Sequence, residues 1–151
     1  MPESTAPMSA LAFDFGLKQI GVAYGQTLTN TAKGLSIVKA QEGIPQWPSI
    51  GLLLDQWKPS LVLVGLPLNM DGSESELSAR ARKFARRLEG RFGIPVKMVD
   101  ERLTSQEAKS LVREQAHGQR GRSDNLTKID HIAAALILQS WLDDPSLGRS
   151  I

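Results

Sequence analysis

Three runs of strand-forming residues open the chain with almost nothing between them: Ala10 to Leu17, Gln19 to Leu28 and Ala32 to Ala40. Only Leu17-Lys18 and Thr29-Asn30-Thr31 separate them. Strands joined this tightly have no room for a crossover and must form an antiparallel meander. After them the pattern changes. Pro48 to Trp57 places Ile50, Leu53, Leu54 and Trp57 on one helical face. Leu61 to Leu66 is a short apolar run between Pro59 and Pro67, as expected of a strand covered on both sides. A basic helix follows, opened by an S-x-x-E box at Ser73 and Glu76, then a strand from Ile94 to Asp100. Thr104 and Glu107 open another helix, running to about Gln115. AHGQRGRSD has loop composition, and an apolar helix runs from about Thr127 to Leu142.

The order βββ-α-β-α-β-α-α predicts an α/β fold. Its five-stranded mixed sheet has three antiparallel strands then two parallel ones, with helices on both faces. With 151 residues, 41% of them hydrophobic, the chain suffices for one core. The expected organisation is a disordered N-terminus at 1–9, a single domain at 10–142 and a C-terminal tail at 143–151, its last half-dozen residues disordered. No signal-peptide layout or membrane-length apolar run is present, so the expectation is a soluble, cytoplasmic protein without membrane contact.

Asp14 interrupts this scheme. Leu11, Phe13 and Phe15 share one face of the first strand, leaving Ala12, Asp14 and Gly16 on the other. A carboxylate between the two smallest neighbours faces an open slot, and Gly21 and Gly25 strip side chains from the next strand. Asp130 repeats the anomaly at the start of the apolar stripe Ala133, Ala134, Ile137 and Trp141, although it also closes a T-x-x-D box with Thr127. Asp100 and Glu101 end a strand, where open α/β sheets place ligands, and spacing alone does not choose between them. Convergent carboxylates repel unless a divalent cation joins them. The chain has no cysteine and only two histidines, His117 and His131, so any metal site is mainly oxygen, suited to Mg2+ or Mn2+. A pair of such ions about 3.5–4 Å apart activates water and stabilises the leaving oxygen of a phosphodiester.

Charge is unevenly spread. Arg80, Arg82, Lys83, Arg86, Arg87 and Arg91 stand against Glu89 alone, so this stretch is +5 and leaves −3 for the rest of a +2 chain. Such a run is ordinarily a solvated helix face, and beside a phosphate-handling site it suits a polyanionic partner.

DFGLKQIGVAYG resembles the D-x-G-x-K-R-I-G-V-A opening of the YqgF family, whose members are described as Holliday junction resolvases and as nucleases maturing small-subunit ribosomal RNA. VGLPLNMDGS, VDERLTS and IDHIAAALILQSWL continue the resemblance in order, so that it covers nearly all of residues 10 to 142. It implies an RNase H-like fold and metal-dependent hydrolysis of phosphodiesters in structured nucleic acid, by endo- or exonuclease action. The 5′ end of pre-16S rRNA, in ribosomal precursor particles, and branched DNA are the implied substrates. Asp14, Glu101 and Asp130 are the implied acidic, metal-binding set, the family pattern selecting Glu101 over Asp100. Lys18, Arg102, Arg86, Arg87, Arg91, Arg120 and Arg122 are the candidate contacts to the phosphate backbone. Where the pattern has Lys-Arg, this chain has Lys18-Gln19, and no carboxylate ends the strand at Leu66. Two other classes share these features: a nucleic-acid-binding domain of weak catalysis, separable by a cleavage assay, and a phosphotransferase or ATPase. The latter needs two such domains around its nucleotide, and this chain has room for one.

Overall fold

The computed structural model describes residues 8–101 and 125–151, with the side chains of the second stretch described from residue 132 onward. Its elements are β1 (Ser9–Asp14), β2 (Gln19–Gln26), β3 (Thr31–Gln41), β4 (Ile44–Pro45), α1 (Trp47–Trp57), β5 (Leu61–Leu66), α2 (Glu76–Phe92), β6 (Val96–Asp100) and α3 (Asn125–Asp143). The strands form one sheet in the order β4-β3-β2-β1-β5-β6. The meander pairs antiparallel, and β5 and β6 add parallel to β1, as the connection lengths require.

The expected five strands are corrected to six. Gln41 pairs with Ile44 and Ala40 with Pro45, around a two-residue turn in which both Glu42 (φ 52°) and Gly43 (φ 83°) are left-handed. That is the hairpin geometry matching strand twist, and it creates a strand too short to leave a period-2 pattern. Proline is tolerated there because β4 is the sheet edge.

Side-chain alternation divides the core between two faces. Leu11, Phe13, Phe15, Val62, Val64, Leu66, Val96 and Met98 meet Ile50 of α1 and Ala81, Phe84, Ala85 and Leu88 of α2. Ala10, Ala12, Ala23, Leu61, Leu63 and Val99 meet Ala134, Ala135, Ile137, Leu138 and Trp141 of α3. All six residues of β5 are buried because helices cover both of its sides. α3 is also fixed through Gln139, whose Oε1 accepts from Ala32 N (3.1 Å) and whose Nε2 donates to Asn30 O (3.0 Å).

Two local expectations are revised. The box opening α2 is made by Ser75 and Ser78, because Ser73 is held back in a turn where its N–H and hydroxyl both donate to Asp71 Oδ1. Helical spacing from Phe84 and Leu88 puts Phe92 on the buried stripe of α2, yet it is exposed at the helix end, just before the C-cap Gly93. β1 begins at Ser9, paired with Gln26, and Arg149 exchanges backbone hydrogen bonds with Met98 on the outer edge of β6. An unpaired edge offers donors and acceptors to any extended chain, and the C-terminal residues take them. The helix from Thr104 to Gln115 and the AHGQRGRSD loop lie outside the described residues.

Candidate active site

Asp14 ends β1, and its neighbour across the β1–β2 ladder is Gly21. Alternation from Ala10 and Ala12 places Asp14 on the α3 side of the sheet. The same argument decides between the two acids that close β6. Val96 and Met98 face α1 and α2, so Asp100 continues on their side, whereas Val99 faces α3 and Glu101 follows it. Asp100 is 1% exposed, and its Oδ2 lies 3.6 Å from Arg149 Nη2. It belongs to the packing of the C-terminal segment on β6. Glu101 belongs to the face of Asp14.

Between those two strands runs β5, and there the sheet has a gap. Gly65 stands level with Val99, and a Cβ on it would lie 2.6 Å from Ile137 Cδ1 and 2.8 Å from Glu101 Oε2. The glycine therefore makes the space that Glu101 occupies beneath α3. The sequence carried this signal as the one break in the apolar run of β5, and the sequence reasoning applied it only to Gly21 and Gly25. At Gly25 the close neighbours prove to be Thr31 O and Leu138, so that glycine admits backbone and helix.

Burial raises the Glu101 carboxyl to about 7, and the negative charges of Asp14, then of Asp100, push it the same way. A half-buried glutamate under the potential of a neighbouring aspartate is poised to bind a cation or hold a proton at neutral pH. Asp130 falls within α3; its side chain, like Arg102, Arg120 and Arg122, lies outside the described residues. Among the described residues, no three His, Cys, Asp or Glu side chains group together as a metal site. The Asp14 and Glu101 pair is what the described part contributes.

The basic candidates separate. Lys18 is exposed in the β1–β2 turn, next to the Asp14 end of the strand, and Gln19 opens β2 beside it. Arg86, Arg87 and Arg91 stand on α2, across the sheet from the carboxylates. Arg91 lies with its guanidinium 4.3 Å from the centre of the Trp47 ring. Arg80 donates to Glu76 and to Glu42 O, and Arg82 grips Glu74 through Nε and Nη2. The structure thus gathers Asp14, Glu101 and Lys18 at one end of the sheet and leaves the α2 arginines apart from them.

A meander followed by two parallel strands, with helices on both faces, defines a class of fold: the RNase H-like one. Solved structures carry the same fold. The T. thermophilus RuvC in complex with a Holliday junction substrate aligns over 95% of this chain and 99% of its own, with a TM-score of 0.58 at 19% identity. The fowlpox virus resolvase bound to Holliday junction DNA covers 91% and 99%, with a TM-score of 0.57 at 18% identity. The chain belongs to the RuvX family, described as Holliday junction resolvases, whose pattern matches residues 8–144. Relatives named "Putative pre-16S rRNA nuclease" are similar to it along most of their length. That of Hahella chejuensis is 56% identical over 137 residues, 89% of this chain and 84% of the relative. That of Pseudomonas putida is 57% identical over 134 residues, 88% and 93% respectively.

Proposed function

We propose that this chain is a divalent-metal-dependent nuclease that hydrolyses phosphodiester bonds in structured nucleic acid, with residues 10–142 as its single catalytic domain. The observation that carries the reading is the approach of Asp14 and Glu101 to one another from the ends of β1 and β6, on either side of β5, in a space kept open by Gly65. The donor set fits Mg2+ or Mn2+: it is carboxylate oxygen throughout, and the burial and then the repulsion by Asp14 that raise Glu101 both penalise a bare negative charge that a hard dication would neutralise. Asp14, Glu101 and Asp130 would hold the metal. When bound, such an ion supplies Lewis acidity and neutralises charge on the phosphate. The chain's own contribution is positional. β1 and β6 carry the two acids on one face, Ile137 of α3 closes over Gly65 beside Glu101, and Lys18, exposed in the β1–β2 turn, would meet a phosphate entering there. Arg102, Arg120 and Arg122 are proposed as further backbone contacts.

The relatives' names favour pre-16S rRNA, of which the resemblance implies the 5′ end, and the family description favours branched DNA. We take precursor RNA as the substrate, in the cytoplasm and within ribosomal precursor particles. No helix among the described residues is long and apolar enough to cross a membrane. The reading is tested by offering the purified chain a labelled precursor RNA and a four-way DNA junction, with Mg2+, Mn2+ or a chelator. Cleavage of the RNA should require the metal, and Asp14→Asn should reduce it by more than the ~10–100-fold that even outer-shell partners of metal ligands are worth. An Asp14→Asn protein that cuts at the wild-type rate removes the assignment, and preference for the junction replaces the substrate.

A further inference from the structure

We propose that the exposed face of α2 is a second contact for the phosphate backbone, gripping structured nucleic acid at a distance from the bond being cut. The inference rests on the nuclease reading for its partner and on the position of α2 for its content. α2 packs on the side of the sheet opposite Asp14 and Glu101, and its outer surface lies a further helix diameter, about 10–12 Å, beyond that contact. Charges placed there do not reach a phosphate held between the two carboxylates. They reach another part of the same polyanion.

The six basic residues of α2 divide by what they touch. Arg80 and Arg82 spend their charge on Glu76 and Glu74. Lys83, Arg86 and Arg87 are exposed, and no carboxylate among the described residues pairs with them. Successive turns place Lys83, Arg87 and Arg91 along one stripe at intervals of roughly 6 Å. Arg91 extends the row, its guanidinium carbon lying over the Trp47 ring at 4.3 Å from the centroid. Phe84 stacks on the same indole at 5.8 Å, so that Trp47 serves the arginine and is not a platform for a base. The contact is accordingly to phosphate, without sequence preference. A cleft of about 430 Å³ runs alongside, between α2 and the β3–β4 hairpin. Its acids, Glu42 and Glu76, sit at the Arg80 end, and Lys83 and Arg87 line the remainder.

The test uses the full chain and a variant carrying Lys83→Ala, Arg86→Ala and Arg87→Ala, with binding measured in chelator so that no turnover is needed. The probes are a long DNA duplex, the same duplex as RNA, and a short duplex that reaches only the carboxylate end. On the long DNA duplex the variant's dependence of log affinity on log salt should flatten by close to ~0.9 for each phosphate that the removed side chains no longer neutralise. The RNA duplex should flatten likewise, and the short duplex should bind both proteins alike. With metal restored, the variant should raise KM on long substrates and leave kcat unchanged. Coincident slopes on the long duplexes overturn the proposal and leave the face to an acidic protein partner. Equal losses on short and long probes overturn it too, by placing α2 at the cleavage site. Failure to cleave with an intact slope difference would instead refute the nuclease reading alone.

Discussion

The two faces of the sheet differ in their share of small residues. On the α3 side the contacts are made by Ala10, Ala12, Ala23, Ala32, Ala134 and Ala135, with Gly25 and Gly65, interspersed among Leu61, Leu63, Val99, Ile137, Leu138 and Trp141. On the α1 and α2 side they are made by Phe13, Phe15, Phe84, Leu11, Ile20 and Met98, with Phe13 and Phe84 edge to face at 5.8 Å. Small residues bring a helix down onto the strands, so that whatever stands at the strand ends is enclosed. That is where Asp14 and Glu101 are. Large residues hold a helix out on a thick apolar layer and turn its other side to water, where six basic groups are tolerated. One face is shaped to shift the ionisation of a carboxylate, and the other to display charge.

Glycine substitutions break the comparison most sharply. Gly65→Ala forces a Cβ to within 2.6 Å of Ile137 on α3 and 2.8 Å of Glu101 beneath it. It should destabilise the chain by about 3 kcal/mol, the upper range for overpacking, and displace Glu101 enough to depress cleavage. Gly90→Ala on α2 meets nothing within 4 Å and should stabilise by about 0.5–1 kcal/mol through helix propensity. Thermal unfolding of the two variants settles the matter: shifts of the same sign would mean that the two faces are equally tolerant.

This asymmetry was half legible in the sequence. The meander, the parallel additions and the placement of Leu11, Phe13 and Phe15 opposite Asp14 follow from connection length and side-chain alternation, which are local properties. The choice between Asp100 and Glu101 was equally a matter of alternation along β6, but it needed to be known which face each strand turns to α3, a tertiary fact. Asp100 could not be read at all, because Arg149 comes to it from the C-terminus, 49 residues away in sequence. β4 escaped because two residues carry no period, and the helix start shifted from Ser73 to Ser75 because Asp71 captured the earlier serine. The basic run was visible, and its location across the sheet from the carboxylates was not.

The next effect is confined to the α3 face and depends on pH. Glu101 is raised from 4.5 to about 7 by burial, with Asp14 and Asp100 adding to it. The folded chain therefore binds this proton more tightly than the unfolded chain does. Its contribution to stability is fully present below about pH 4.5 and is lost as pH rises through about 7. At 1.36 kcal/mol per unit, discounted for the part of Glu101 that solvent screens, the loss should be roughly 1–2 kcal/mol. Glu101→Gln should remove that slope, and saturating Mg2+ should lessen it in the wild type by favouring the ionised form. Unfolding free energies measured across this pH range in chelator carry the test. Parallel curves for wild type and Glu101→Gln would show that the carboxyl is not perturbed.

The smallest effects belong to α2, and there they distinguish one arginine from its neighbours. Arg91 is held over Trp47 at 4.3 Å, and Trp47 in turn is stacked on Phe84 at 5.8 Å. Arg91→Ala removes a cation from an aromatic face and uncovers part of the ring, which should cost about 0.5–1 kcal/mol. Lys83→Ala, Arg86→Ala and Arg87→Ala remove only exposed charge, and each should stay within about 0.5 kcal/mol of wild type. Salt distinguishes the two kinds further. A cation held against a desolvated ring is screened less than one in open solvent, so the Arg91→Ala penalty should persist at high ionic strength while small shifts at the other three fade. Relief of repulsion among like charges gives those three substitutions a slightly stabilising sign at low salt. Denaturant midpoints at low and high salt report all four. If Arg91→Ala behaves as its neighbours do, the row of cations on α2 is uniform solvent-exposed charge, and the position of its last member over Trp47 has no energetic basis.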